Sequence, residues 1–187
     1  RLSARYAFTD NFSIKAGFDS MRQYIHKLSN TVIMSPTDTW KLSDVNSKPQ
    51  RGWQAAAGLY LNSPSGIWEY SVEGYYKRMS DYLDYRGGAK LLLNHHIETD
   101  VINTQGHAYG VELQVKKQVG KLNGWMSYTY SRTFLRQNDK RIEKPVNNGD
   151  WYPTEYDKPH DFKFVGNYKF THRYSMSINV DYSTGRP

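Results

Sequence analysis

The chain has 187 residues, 38% hydrophobic and 15% aromatic, and its 25 Lys and Arg outnumber 18 Asp and Glu for a net charge of +7. It contains no cysteine, which excludes disulfide scaffolds, thiolate zinc sites and cysteine nucleophiles. No run approaches the ~18 consecutive apolar residues of a spanning helix, and the aromatic content excludes ordinary disorder.

Period-2 alternation runs along the whole chain, whereas amphipathic helical spacing is hard to find. Leu2, Ala4, Tyr6 and Phe8 share one parity, and after a polar break at Thr9-Asp10-Asn11 the pattern resumes as Phe12, Ile14, Ala16 and Phe18. Two such runs around a short polar break predict a hairpin, whose second strand is short unless it continues towards Tyr24. A second pair is predicted from Trp53 to Leu61 and from Ile67 to about Arg78. In it Trp68, Tyr70, Val72 and Tyr76 oppose Glu69, Ser71, Glu73 and Lys77. The third pair runs from Gly106 to Gln118 and from Trp125 to Phe134, with Val111, Leu113 and Val115 facing away from Glu112, Gln114 and Lys116. The fourth pair, Asp161 to Phe170 and Tyr174 to Tyr182, repeats the scheme.

The connections carry the architectural information. Within pairs they contain three, five, six and three residues, but between pairs they run from Asp19 to Gly52, from about Met79 to Gln105, and from Leu135 to His160. Compact soluble domains seldom hold several structureless loops beyond ~12–15 residues, whereas outer-membrane barrels alternate short turns with long loops. Aromatic residues near the ends of the apolar faces (Phe8, Phe12, Tyr70, Tyr109, Phe134, Tyr168, Tyr174, Tyr182) fit interfacial girdles. A mean hydropathy of −0.79 suits strands that wet one face. The expectation is all-β: an antiparallel up-and-down transmembrane β-barrel segment of about eight strands in four hairpins. A soluble antiparallel sandwich remains an alternative on alternation alone.

Catalytic and metal signals are weak. No G-x-S-x-G, Walker loop, G-x-G-x-x-G or H-E-x-x-H occurs. His95 and His96, adjacent on a strand, would point opposite ways. Glu69 and Glu73 stand roughly 13 Å apart along an extended strand, too far for paired acid–base work, and are expected as hydrated carboxylates near Lys77. Neither a catalytic residue nor a metal or other cofactor is expected. The basic residues are scattered without a stripe or nucleic-acid motif; Lys116, Lys117 and Lys121 near a short turn suit rim anchors. If a ligand surface exists it belongs on the long loops, where Tyr24, His26, Trp40, Trp151, Tyr152 and Tyr156 offer rings for sugars or chelates, or for packing of loop on loop.

Four segments resemble the C-terminal barrel region of TonB-dependent outer-membrane receptors of the Bacteroidetes style. Gly106-His107-Ala108-Tyr109-Gly110-Val111-Glu112 is similar to a recurrent G-x-A-x-G-x-E strand opening, and Trp125 to Ser131 looks like an S-Y-T-Y-S strand. Tyr156-Asp157-Lys158-Pro159-His160-Asp161-Phe162 resembles Y-D-[RK]-P-H-x-[FL] entering a late strand, and Lys48-Pro49-Gln50 resembles K-P-E with Gln50 in place of Glu. Each segment also has a physical reading. Gly106, Ala108 and Gly110 leave a small-residue groove that a neighbouring aromatic or a plug can approach. Glu112 shares their parity and should face the lumen, and Pro159 suits a loop-to-strand junction. These positions, with Tyr156, Asp157 and His160, are therefore expected to be structural.

The resemblance implies a Gram-negative outer-membrane location and a 22-stranded barrel around an N-terminal plug. It implies energy-coupled uptake of an iron chelate, cobalamin or oligosaccharide through the TonB complex, not enzymatic activity. Expected partners are outer-membrane lipid and lipopolysaccharide, the plug, TonB and a surface lipoprotein, with no nucleic acid. Residues 1–187 are then expected as a partial barrel domain, since the chain opens and closes in strand-like text and stops at Gly185-Arg186-Pro187. A self-contained eight-stranded barrel acting as adhesin, anchor or enzyme is the other membrane alternative.

Overall fold

The computed structural model of the chain describes residues 1–28, 39–44, 47–85, 101–137, 139, 142 and 145–185. Eight strands form one antiparallel meander: β1 (Leu2–Ala7), β2 (Phe12–Gln23), β5 (Gln50–Asn62), β6 (Trp68–Tyr85), β7 (Val101–Lys117), β8 (Leu122–Arg136), β10 (His160–Lys169) and β11 (Ser175–Ser183). A separate ribbon pairs β3 (Ile25–Leu28) with β4 (Thr39–Leu42), and the two-residue β9 (Tyr152–Pro153) pairs with β8. No α-helix occurs among the described residues; the one helical element is a 3-10 turn at Val146–Gly149.

Each ladder joins residues of one side-chain parity to the same parity next door. The row Tyr6↔Ile14↔Leu59↔Val72↔Leu113↔Tyr128↔Phe162↔Tyr182 crosses all eight strands on one face. The opposite parity carries Lys15, Gln54, Glu73, Glu112, Thr129, Lys163 and Asp181. A one-residue slip of any strand would exchange the faces, so the alternation itself enforces this register.

The apolar face is bounded by rings at both ends. At the short-turn end Tyr6, Phe8 and Phe12 contact in sequence, Trp68 stacks on Tyr70, and Tyr168, Phe170 and Tyr174 form a third group. At the long-loop end a continuous chain runs Phe18–Trp53–Tyr76–His107–Phe134 over five strands, with centroid separations of 5.3 to 6.3 Å. From Trp68 to Arg78 an extended strand rises about 34 Å, or roughly 26 Å along the axis at ~40° tilt. That matches the ~25 Å apolar band of an outer-membrane barrel.

Nothing covers this face among the described residues. Leu2, Leu59, Val72, Leu113, Met126 and Ile178 are all exposed, and the buried apolar side chains among the described residues are Val101, Ile102, Ala108 and Leu135. The accessible surface of 13207 Å² far exceeds the roughly 9,300 Å² of a compact monomer of this mass. The sandwich alternative needs apolar faces meeting across two layers, and among the described residues no second sheet packs on the apolar face of the meander. The closed eight-stranded alternative also fails among the described residues, because β1 and β11 end an open path instead of pairing with each other.

At the long-loop end the strands outrun the sequence-based bounds, whereas at the short turns several stop one residue inside them. β6 continues to Tyr85 and β7 begins at Val101, five residues ahead of Gly106, while the short turns hold four, five, four and five residues. The alternation is lost there because the ladder shifts between Ser80 and Tyr82. Asp81 sits in the bulge with φ 57°, and its carboxylate accepts from Arg51 Nη2 at 2.8 Å and Nε at 3.2 Å. An Asp tolerates that left-handed conformation better than most residues, and the bulge turns Tyr82 and Asp84 onto the polar-face side.

Candidate functional site

The polar face is a wall of paired groups. Glu69 accepts a hydrogen bond from Gln118 Nε2 and lies 3.4 Å from Lys116 Nζ. Tyr60 donates to Glu73, and Lys15 Nζ stands 4.0 Å from the Tyr60 ring centroid. The partners of Glu69 and Glu73 are thus Lys116 and Tyr60 instead of the expected Lys77, which lies opposite Gln54 and Ala108. Lys116 accordingly faces the polar side, while Lys117 faces the apolar one. Asn167 donates to Asn123 at 3.4 Å and accepts from Ser177 at 2.7 Å.

Beyond the bulge this wall closes into a buried cluster. Asp84 Oδ2 accepts from Tyr152 Oη at 3.0 Å and from Gln137 Nε2 at 3.2 Å, while Gln137 Oε1 accepts the Val146 N–H at 3.0 Å. Thr104 Oγ1 donates to the Tyr82 carbonyl at 2.9 Å. Ile102, Thr104 and Gln137 are each at most 4% exposed. Burial first, then the Asp84 carboxylate, pushes the Tyr152 phenol far above its ordinary value. Burial, then Asp84 and Glu155, raises Tyr82 as well. Both phenols stay protonated, and Tyr152 holds its proton towards the carboxylate. Asp84, Gln137 and Tyr82 were not among the sequence candidates. For Tyr82 and Asp84 the signal is the alternation resuming one residue out of step after Asp81; Gln137 lies just past the end of β8 and carries no such mark.

The six aromatic candidates fall into two groups. His26 and Trp40 belong to the β3–β4 ribbon and Tyr24 adjoins it, its carbonyl accepting the Ser43 N–H; Tyr24 and Trp40 are exposed and His26 is 4% exposed. His26 Nε2 lies 3.1 Å from Ser43 Oγ, and burial lowers its pKa from 6.5. Trp151, Tyr152 and Tyr156 belong to the segment between β8 and β10. Tyr152 turns inward to Asp84. Trp151 has the opposite parity and meets His107 edge-on at 4.3 Å, beside the chain of rings on the apolar face. Tyr156 is exposed. His95 and His96 lie outside the described residues.

The motif positions have local structural tasks. A Cβ on Gly110 would come within 2.8 Å of both Tyr75 Oη and the Tyr130 carbonyl, so Tyr75 occupies the small-residue groove that Ala108 and Gly106 continue. Glu112 stands on the polar face directly opposite Glu73. Asp157, 3% exposed, accepts from Arg132 Nε at 2.9 Å and from the Thr133 N–H at 2.7 Å. Around it the Thr154 N–H bonds the Thr133 carbonyl, and the Ser131 N–H bonds the Pro159 carbonyl. The carboxylate thereby takes the place of a strand carbonyl in the gap between β9 and β10. Pro159 ends that loop, and His160 Nδ1 lies 2.8 Å from Tyr128 Oη. No group of three or more His, Cys, Asp or Glu side chains arranged for a metal ion occurs among the described residues.

Comparison with known proteins adds the family. The TonB dependent receptor-like β-barrel family matches residues 1–186. The chain is similar in structure to FpvAI in its complex with pyocin S2, with TM-score 0.50 and 12% identity over 96% of this chain and 28% of that one. It is equally similar to FpvA of P. aeruginosa bound to a heterologous pyoverdine with iron, at TM-score 0.50 and 13% identity over the same shares. The sequence matched no curated relative. The chain thus spans under a third of the length of these receptors, whose family forms barrels of the Gram-negative outer membrane. One uncovered apolar face across eight meandering strands, together with a family match over residues 1–186, shows that the chain belongs to the TonB-dependent receptors as part of their β-barrel.

Proposed function

We propose that these strands form part of the wall of an outer-membrane receptor that imports a scarce substrate by TonB-coupled transport, with the long loops outside the cell and the short turns in the periplasm. The apolar row that crosses all eight strands carries this reading: it is continuous, partly to largely exposed and ring-bounded, as a surface against acyl chains must be. The polar face then lines the lumen, towards a plug supplied by the complete receptor. No step of the reading calls for enzymatic chemistry. Arg22 and Arg78, outward by parity beside the loop-side rings, suit lipopolysaccharide phosphates. A surface lipoprotein over the long loops remains a proposed partner.

Among the aromatic candidates, Tyr24 and Trp40 present exposed rings on which a ligand can stack, whereas His26 and Tyr152 are engaged within their loops and Trp151 faces the apolar side. An iron chelate is the first class to test, ahead of cobalamin and oligosaccharides, because FpvA, of the same barrel fold, was determined with an iron-loaded pyoverdine. The test is uptake of labelled ferric chelates by cells carrying the full-length receptor, with and without a functional TonB complex. TonB-dependent accumulation supports the proposal. A receptor that fails to enter the outer membrane, or uptake of none of the three classes, overturns it.

A further inference from the structure

The apolar face is not uniformly filled. Near the short turns a cavity of about 190 Å³ opens on it, lined by Trp68, Lys117, Gly124, Met126, Phe164 and Gly166. Gly124 and Gly166 are opposite each other in the β8–β10 ladder, so two neighbouring positions of the apolar row lack side chains. At Gly124 this is imposed by the backbone: φ is 154°, and a Cβ there would overlap the Val165 carbonyl oxygen. At Gly166 the Phe164 ring leans over the vacant space, with its Cζ 2.8 Å from where a Cβ would stand. Trp68 and Lys117 form the opposite wall.

Lys117 gives the notch a charged mouth. Its Nζ donates to the Val119 and Leu122 carbonyls at 2.9 and 2.7 Å and lies 5.8 Å from the Trp68 ring centroid. An ammonium has three N–H donors, so one donor and the whole charge remain for an anion. Lys121, Lys169 and Arg173 line the neighbouring basin between the two short turns and add positive charge at the same rim. An apolar slot beneath a cationic rim, flanked by an interfacial tryptophan, has the form of a lipid: acyl chain below, phosphate above.

We propose that this notch seats one acyl chain of an anionic glycerophospholipid of the periplasmic leaflet, with its phosphate beside Lys117. The proposal rests on the membrane reading given above. Within a bilayer an acyl chain gains nothing by leaving water, because lipid tails are as apolar as the wall. Retention therefore comes from close packing in a preformed gap and from the cation at headgroup depth.

The test uses the full-length receptor reconstituted in phosphatidylcholine vesicles with a minor fraction of phosphatidylglycerol, then released into mild detergent for native mass spectrometry. Wild type should retain one phosphatidylglycerol. Lys117→Gln should lower its preference over phosphatidylcholine about fivefold, the effect of one lysine near an anionic surface. Gly166→Leu, which fills the notch, should abolish retention of either lipid, and Phe164→Ala, which widens it, should keep the headgroup preference. Vesicle insertion and a heat-modifiable band are scored in each sample. Failure of wild type to insert counts against the membrane reading itself. Insertion with no retained lipid, retention unchanged in Gly166→Leu, or a second receptor copy sealing the notch overturns the lipid site alone.

Discussion

Removing the Asp157 carboxylate tests whether a side chain stands in for a strand in the β8 ladder. In Asp157→Ala the Thr133 N–H loses a charged acceptor at 2.7 Å, and Arg132, with 28% of its side chain exposed, loses its partner at 2.9 Å. A hydrogen bond to a charged group contributes ~1.5–3 kcal/mol, and the part-exposed ion pair adds up to about 1 kcal/mol after solvent screening. The expected cost is roughly 3 kcal/mol, about a hundredfold increase in local opening. Asp157→Asn keeps a neutral acceptor for Thr133 at about half the strength, so roughly tenfold is expected. Hydrogen exchange of the Thr133 and Thr154 amides in the reconstituted receptor reads this directly, because local opening is measured without global unfolding. Exchange within threefold of wild type in Asp157→Ala, or Asn no milder than Ala, would refute the reasoning.

Other consequences follow from the same geometry. Leu113→Arg, on the apolar face, should cost about 2–4 kcal/mol of barrel stability and reduce membrane insertion, whereas Gln114→Arg on the adjacent polar position should insert normally; equal effects would show that the faces are wrongly assigned. Gly110→Ala should destabilise by about 1–3 kcal/mol, seen as a smaller heat-modifiable fraction, and Tyr75→Ala should rescue it only in part, since the Tyr130 carbonyl cannot move aside. Because burial lowers the His26 pKa, the opened ribbon binds a proton near pH 6.5 that the folded ribbon refuses. Ribbon stability should therefore be complete above pH 6.5 and fall as pH drops towards the folded value. Amide protection at Ser43 measured between pH 7.5 and 5 checks this, and protection that rises on acidification contradicts it.

Much of the fold was legible along the chain because a strand with one apolar face writes its period directly into the residues. Leu2 to Phe18, Trp68 to Tyr76 and Val111 to Val115 each declare strand, face and partner without reference to anything distant. The short turns and the long-loop side were legible for the same reason. Where two environments act on one segment, that code disappears. Val101 and Ile102 are adjacent and both nearly inaccessible, so no alternation marks the start of β7, and the Asp81 bulge moves Tyr82 and Asp84 out of phase with the strand they extend. The aromatic candidates were found by type, but their directions were not. Trp151 and Tyr152 are neighbours in sequence, yet the pairing of Tyr152 with Leu135 sends one ring to Asp84 and the other to His107. Likewise the family motif located Asp157, while its task depends on a gap between β9 and β10 that exists only once both lie against β8. Periodicity is a local property and survives in one dimension; register, bulges and the partner of a buried carboxylate are relations between distant segments, settled by which groups remain to be satisfied when the sheet assembles.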